Sequence, residues 1–394
     1  AICVLWRCTI CMPFEGHRRE AGDMTKVAPQ TMQRDPRAGI FGSWFGGAGE
    51  LVSCEAIEAG IQALEMANGA YAVHAAGKIA AGKISVEPSK DFTDATIDAR
   101  KDLSDVVEWR GVETDGRPGG YAFTATQPDG SFLISFKGTS TVEDAEQDVR
   151  AIRRVKISLG GSTYVAGSGF RNQYEEIKSL PGAGAGNFDA VVDSALSGKD
   201  RTVHVVGHSL GGALANLCAV DIVRKYPRCT VFLRTFGSPR TFDPKSCQRI
   251  VEELSLSPTA SEFGTLGQPG KIAAQRWLSY GDTVPSVPPS TRCCPIPCTP
   301  VPLIPCCCDL CCDPCCDLFC FPLGGFKHTT RGFYINQRIG GDLTVKVQHR
   351  DFSAYNWCGC ACVGTHTIST HTIDAYRSRM AMAKRTHTPS APAH

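Results

Sequence analysis

The stretch Thr202-Val203-His204-Val205-Val206-Gly207-His208-Ser209-Leu210-Gly211-Gly212 decides the fold. Its β-branched first half predicts a strand, and the Ala- and Leu-rich pattern from Leu210 to Lys225 predicts a helix. The residues from Cys229 to Phe236 again have the character of a strand. A strand, a helix and a strand in this order indicate two parallel strands joined by a right-handed crossover. The sequence therefore predicts an α/β fold with a mostly parallel central sheet flanked by helices.

Ser209 occupies the turn between that strand and that helix, within the pattern Gly207-x-Ser209-x-Gly211. The pattern suits a nucleophile because a sharp turn strains the serine backbone, and small flanking residues let neighbouring segments pass closely. The helix that starts at Leu210 directs amide groups and a positive dipole end toward a developing oxyanion. We therefore predict Ser209 as the nucleophile. A glycine-rich turn with an incidental serine is the alternative.

Two motifs carry a resemblance to a known family. The segment 206–215 resembles the nucleophile elbow of the class 3 (fungal-type) lipases, and Thr235-Phe236-Gly237-Ser238-Pro239-Arg240 resembles the strand segment that follows it in that family. The resemblance extends from about Leu103 to Tyr376, apart from a Cys-rich stretch. It implies the α/β-hydrolase fold and a serine ester hydrolase, such as a lipase, with a Ser-Asp-His triad. Such a mechanism needs no metal and no organic cofactor.

The loop Phe136-Lys137-Gly138-Thr139-Ser140 is the candidate oxyanion loop. It follows two alternating runs, Tyr121 to Thr126 and Ser131 to Lys137, which predict paired strands around a Pro-Asp-Gly turn. In the resembling family the residue after this glycine gives its backbone amide to the oxyanion hole. The resemblance therefore implies Thr139 and Leu210 as the two donors. An ordinary strand-to-helix turn with a threonine cap is the alternative.

The acid of the triad follows the nucleophile in chain order on this fold. Asp282 lies just past a predicted strand, Ile272 to Tyr280, in a segment that resembles the acid motif of the family. We predict Asp282 as the acid. Asp243, beyond the strand that ends near Gly237, is the alternative.

The base must be a histidine further along the chain, since His204 and His208 are too close in sequence to the nucleophile to reach back over it. The segment 369–376 resembles the terminal segment of the family, in which the catalytic histidine opens a short helix that ends near a tyrosine. This resemblance implies His371 as the base. The alternatives are His328 and His366.

Charge and composition narrow the class of partner. Lys and Arg together number 41 against 39 Asp and Glu, so the sequence gives no reason to expect nucleic acid. No run approaches the roughly 18 apolar residues that a membrane-spanning helix needs. The apolar stretch 1–14 is interrupted by Arg7 and does not have the form of a signal peptide. We expect a lipid or ester substrate, presented at a membrane or lipid-droplet surface.

Cysteine is concentrated in one segment. Of 21 cysteines, eleven fall between Cys293 and Cys320, many of them adjacent or at short repeated spacings. Such spacing does not suit a simple ladder of disulfides, and bulky apolar neighbours such as Leu310 and Phe319 do not suit a metal cluster. We favour an S-acylated loop that contacts a membrane, with disulfides or a metal cluster as alternatives. The candidate acylation sites are Cys306, Cys307, Cys308, Cys311, Cys312, Cys315, Cys316 and Cys320.

The expected organisation has three parts. They are an irregular N-terminal tail over 1–48, a lipase-like domain over 49–380 with a Cys/Pro-rich insertion at 288–323, and a C-terminal tail over 381–394. The pattern predicts an amphipathic helix from Glu50 to about Ala67. A further predicted helix, Thr141 to Val155, is either a lid over the active site or an ordinary helix packed on the sheet.

Several functions stay open within this fold. The first alternatives are a phospholipase, a diacylglycerol lipase and an acyltransferase. The other is a catalytically silent, membrane-associated binding protein. The favoured location is the cytosolic face of a membrane, with secretion as the alternative.

Overall fold

A computed structural model describes the chain at residues 52–80, 103–111, 120–138, 153–182, 186–255, 267–279, 282, 284–286, 326–329, 332–337, 343–348 and 370–387. Several predicted features lie outside these residues, among them the N-terminal tail, the Cys/Pro-rich insertion and the oxyanion donor Thr139. The alternative base His366 lies outside them as well.

The strands and helices of the described residues alternate along much of the chain. The strands are β1 (Ser104–Arg110), β2 (Tyr121–Thr126), β3 (Phe132–Phe136), β4 (Arg154–Leu159), β5 (Ser162–Gly167), β6 (Pro181–Gly182), β7 (Gly186–Asn187), β8 (Thr202–His208), β9 (Thr230–Phe236), β10 (Ile272–Ser279), β11 (Gly332–Gln337) and β12 (Leu343–Gln348). The helices are α1 (Cys54–Ala80), α2 (Ser168–Ser179), α3 (Phe188–Leu196), α4 (Leu210–Lys225), α5 (Pro244–Glu253) and α6 (Ile373–His387), with a 3₁₀ turn at Val284–Ser286.

Eight of the described strands form one sheet in the order β1-β2-β3-β8-β9-β10-β11-β12. The five strands from β3 to β11 in this order run parallel, while β1, β2 and β12 join antiparallel at the two sides. The predicted mostly parallel sheet with flanking helices is therefore confirmed. Because parallel strands end at the same edge, the loops after β3, β8, β9 and β10 converge there.

The sheet is covered on both faces, since alternate residues of each strand point to opposite sides. On one face, Val203 and Val205 pack into a core with α2, α3, α4 and α5. On the other face, Val206, Phe236 and Trp277 pack into a core with α1 and α6. Each large side chain buried in this way contributes roughly 1.5–3 kcal/mol to the free energy of folding.

The two helices on the second face of the sheet, α1 and α6, also contact each other. Met380 and Ala383 of α6 are fully buried in the same core as α1. Arg377 of α6 donates to Glu65 of α1 over 3.0 Å. These contacts explain why α6 continues past Tyr376 to His387, where a short helix ending near that tyrosine was expected. The helix also continues past residue 380, where the C-terminal tail was expected to begin.

Other predicted elements are present in the structure, some of them with changed limits. The hairpin of β2 and β3 and the limits of α4 are as predicted. Helix α1 begins at Cys54 and runs to Ala80, well past the predicted end near Ala67, and Ala70 is as buried as Ala67. None of the helices in the described part of the chain is long and apolar enough to cross a membrane.

The end of the predicted Thr141–Val155 helix is wrong. Val155 lies in β4 and pairs with Ala166 of β5 in an antiparallel hairpin that turns at Gly160 and Gly161. Ile157 and Leu159 of β4 are buried in the core, which favours the strand over a helix. The remainder of the predicted helix, 141–152, lies outside the described residues.

Candidate active site

The turn at Ser209 has the strained geometry that its sequence predicts. Ser209 has φ 58° and ψ −132°, and Asp105 is the only other described residue apart from glycine with a positive φ. A Cβ atom at Gly207 would collide with the backbone of Gly211, and one at Gly211 would collide with the backbone of Phe136 in β3. The two glycines are therefore required sterically, because β3, β8 and α4 pass each other at this point.

Hydrogen bonds fix the backbone of Ser209. Its amide donates to the carbonyl of Phe236 at the end of β9, over 2.9 Å, and its own carbonyl accepts from Gly212, also over 2.9 Å. The side chain does not cap α4, so it is not occupied by the helix. Leu210 is the first residue of α4, and amides at this position have no partner within the helix. Such an amide is suited to bind an anion.

The loop after β3 lies against the nucleophile. A Cβ atom placed at Gly138 would come within 2.9 Å of the Cβ of Ser209. Thr139, the predicted oxyanion donor, follows Gly138 directly but lies outside the described residues. The part of the oxyanion loop that the structure describes therefore ends beside Ser209.

Asp282 and His371 form a buried pair. Nδ1 of His371 lies 2.9 Å from Oδ2 of Asp282, and the two side chains are 2% and 0% exposed. The other carboxylate oxygen accepts from the amide of Val284 over 3.0 Å. Nε2 of His371 is buried and has no hydrogen-bond partner among the described residues. With Nδ1 donating to the carboxylate, Nε2 has a free lone pair that can accept a proton.

Gly237 brings this pair next to the nucleophile turn. Gly237 has φ 58°, and a Cβ atom there would come within 2.8 Å of both Oδ2 of Asp282 and the ring of His371. Gly237 directly follows Phe236, whose carbonyl holds the amide of Ser209. The predicted acid and base thus lie beside the turn that carries the predicted nucleophile.

Tyr376 is a further member of this cluster. Its hydroxyl donates to Oδ2 of Asp282 over 2.6 Å and accepts from the amide of Ser279 over 3.2 Å. Burial and the neighbouring carboxylate raise the pKa of Tyr376 well above its ordinary value, so the hydroxyl stays a donor. In the sequence this tyrosine served only as a landmark of the resemblance, and its bond to Asp282 was missed.

His208, the neighbour of Ser209, joins the base to α1. Its ring lies 4.8 Å from the ring of His371, and its Nε2 lies 2.6 Å from the backbone oxygen of His371. Its Nδ1 lies 3.1 Å from the hydroxyl of Tyr71, which in turn lies 3.1 Å from the amide of Gly138. Sequence reasoning missed Tyr71, since it stands alone in a Gly- and Ala-rich stretch.

The alternative residues have other partners. Asp243 caps α5, and its Oδ1 accepts from the amide of Ser246 over 2.9 Å. Nε2 of His328 donates to the carbonyl of Pro285 over 2.7 Å. No group of three or more His, Cys, Asp or Glu in the described segments is arranged to hold a metal ion.

Part of the chain is similar to known lipases. Residues 133–291 match the family model described as lipase (class 3). A lipase of Rhizomucor miehei is 26% identical over 210 residues, which are 52% of this chain and 50% of that protein. The chain therefore spans about half the length of this curated relative.

Two solved structures with a similar fold are forms of the Lip2 lipase of Yarrowia lipolytica. The first has a TM-score of 0.52 at 14% identity, and the superposition covers 82% of this chain and 94% of the Lip2 chain. The nonglycosylated form has a TM-score of 0.50 at 14% identity, and the superposition covers 78% of this chain and 90% of that form's chain. At such low identity the likeness establishes the fold alone, which is the predicted α/β-hydrolase fold.

Proposed function

We propose that this chain, whose residues 133–291 match the class 3 lipase model, is a serine carboxylic-ester hydrolase, a lipase that acts on acylglycerols. The observation that carries the proposal is the buried Asp282–His371 pair at 2.9 Å, beside the strained turn of Ser209. Among the described residues Nε2 of His371 is buried without a hydrogen-bond partner, which a purely structural ion pair does not require. A general base needs that nitrogen free for the proton of the nucleophile.

The proposed reaction has two halves. Oγ of Ser209 attacks the ester carbonyl carbon while Nε2 of His371 takes its proton, and Asp282 holds the resulting imidazolium. The amides of Leu210 and Thr139 bind the tetrahedral oxyanion, and the imidazolium returns its proton to the leaving alcohol. Water then repeats these steps on the acyl-enzyme and releases the carboxylic acid. Each half uses only groups of the chain, the ester and water.

The nucleophile is tested with a fluorophosphonate probe, which labels an activated serine covalently. We expect the wild-type chain to be labelled and Ser209→Ala to remain unlabelled. Asp243→Ala, which removes the side-chain cap of α5, is the matched control and should be labelled normally. A wild-type chain that is not labelled would instead be a catalytically silent binding protein.

The substrate class follows from product analysis. We propose acylglycerols, and the panel should contain triacylglycerol, diacylglycerol and phospholipid, each with and without an added alcohol acceptor. Release of fatty acid from triacylglycerol supports the proposal. Release from phospholipid or diacylglycerol alone, or transfer of the acyl group to the alcohol, would assign one of the alternative reactions on the same fold.

We further propose that the Cys/Pro-rich insertion, 288–323, is S-acylated and holds the site at a membrane or lipid-droplet surface. Support comes from the residues on either side of it. The bond of 2.7 Å between His328 and Pro285 joins the two flanks, and Pro285 stands three positions after Asp282. Thr329 also bonds to Asn216 of α4 over 3.1 Å. Hydroxylamine, which cleaves thioesters, should lower the mass of the protein and release it from membranes. Unchanged mass and binding would refute acylation.

A further inference from the structure

A series of three hydrogen bonds, each sharing a residue with the next, crosses the candidate site from the oxyanion loop to the base. The amide of Gly138 bonds to the hydroxyl of Tyr71, over 3.1 Å. That hydroxyl bonds to Nδ1 of His208, over 3.1 Å, and Nε2 of His208 bonds to the backbone oxygen of His371, over 2.6 Å. The chemical groups at the two ends fix how the protons are arranged between them.

The direction of every bond follows from the carbonyl of His371, which can only accept. Nε2 of His208 must therefore carry a hydrogen and donate it. Burial and the neighbouring His371 hold the pKa of His208 well below its ordinary value, so its ring is neutral and Nδ1 is an acceptor. The hydroxyl of Tyr71 then donates to Nδ1 and accepts from the amide of Gly138. Each donor meets an acceptor, and none of these groups is left without a partner.

The two ends of this series belong to different parts of the proposed machinery. Gly138 immediately precedes Thr139, the predicted oxyanion donor, and His371 is the proposed base. Tyr71, in contrast, comes from α1 and lies outside the segment 133–291 that matches the family model. It is also fixed from the side, since the ammonium of Lys137 lies 5.5 Å from the centre of its ring.

We propose that Tyr71, acting through His208, is a positioning residue that sets the distance between the oxyanion loop and the base. This inference rests on the proposed hydrolase function. Because a misplacement of about 1 Å can cost on the order of 100-fold in rate, a series that joins both sides of the reacting carbon affects the chemical step. It does not touch the substrate, so binding of the ester is expected to be nearly unchanged.

The test is Tyr71→Phe, which removes one oxygen and keeps the ring under Lys137. The matched control is Tyr226→Phe. Tyr226 likewise donates a hydrogen bond through its hydroxyl, to the carboxylate of Asp193, but it caps the far end of α4. At about 1.5 Å per residue, that end lies roughly 25 Å from Ser209 along the helix axis. Both variants lose a hydrogen-bonded hydroxyl, and only Tyr71→Phe loses it from the series that joins Gly138 to His371.

The readout is hydrolysis of a soluble p-nitrophenyl ester, together with the affinity of a boronic acid that forms a tetrahedral adduct with the serine. For Tyr71→Phe we expect kcat to fall about 10- to 100-fold with KM changed less than about threefold, and boronate affinity to fall with kcat/KM. Tyr226→Phe should lose thermal stability while kcat stays within about twofold of wild type. A merely structural role for Tyr71 would make the two variants alike.

Each outcome has one meaning. Wild-type kcat in folded Tyr71→Phe overturns the inference while the hydrolase function stands. An inactive, unlabelled wild-type chain overturns the function and the inference with it. If Tyr71→Phe does not fold, His208→Gln replaces it. Gln keeps an amide donor for the carbonyl of His371 and removes the ring nitrogen that Tyr71 contacts, so we expect the same loss of kcat at nearly constant KM. Unchanged kcat in that variant also overturns the inference.

Discussion

Gly237→Ala should disable the site through one added methyl group. The Cβ atom would come within 2.8 Å of Oδ2 of Asp282 and of the ring of His371, and both side chains are buried. Real Cβ atoms do not approach this closely, so the pair must move by several tenths of an ångström. A positive φ of 58° adds a backbone cost of about 1 kcal/mol. From the displacement of the pair we expect kcat/KM to fall roughly 10- to 100-fold.

The control separates these two costs. Gly198 also has a positive φ, 69°, but a Cβ atom there would meet nothing within 4 Å. Gly198→Ala should therefore lose about 1 kcal/mol of unfolding free energy and keep full activity. Hydrolysis of a soluble ester and denaturant unfolding measure the two quantities. The reasoning is refuted if folded Gly237→Ala retains the kcat/KM of Gly198→Ala.

Three further predictions concern the acid, its support and a buried histidine. Asp282→Asn should lower kcat for ester hydrolysis about 10⁴-fold. Asp243→Ala should lose only about 1 kcal/mol of unfolding free energy, measured with denaturant, because it removes a helix cap. A large loss of kcat in Asp243→Ala and not in Asp282→Asn would contradict the assignment of the acid. Tyr376→Phe should lower the free energy of unfolding by about 1.5–3 kcal/mol, since its bond to Asp282 is charged, and unchanged unfolding would contradict this. Burial lowers the pKa of His204 to about 4, so the unfolded chain binds the proton first and stability falls as the pH drops from about 6.5 to 4. His204→Gln should lose less stability than wild type over this window.

The fold and the nucleophile turn were predictable because their signals are local. Gly207 and Gly211, which the turn requires sterically, are only four positions apart in the sequence. Helix α4 starts where the β-branched pattern of β8 gives way to the Ala- and Leu-rich pattern. Asp282 and His371 needed chain order and resemblance, since 89 positions separate them. Their hydrogen bond is a long-range contact that no spacing rule predicts.

The residues that sequence reasoning missed lie where local signals are weak or compete. Beyond Ala67, α1 continues through Gly and Ala, which give little periodicity, so its length and the place of Tyr71 did not emerge. Asp243, in contrast, carried a readable signal. An Asp followed by Pro244 at the first helical position is typical of a helix start, and the structure uses it as the cap of α5.

The docking of α6 on α1 determines when the site can work. Arg377 and Glu65 meet across 312 positions, and His371 stands just before the helix that makes this contact. Closing so long a loop is entropically costly and slow, whereas the hairpins and the β8-α4-β9 unit form from neighbours. During refolding, far-UV signal from the sheet should recover before ester hydrolysis does. A chain cleaved ahead of His371 would keep its strands and have no base.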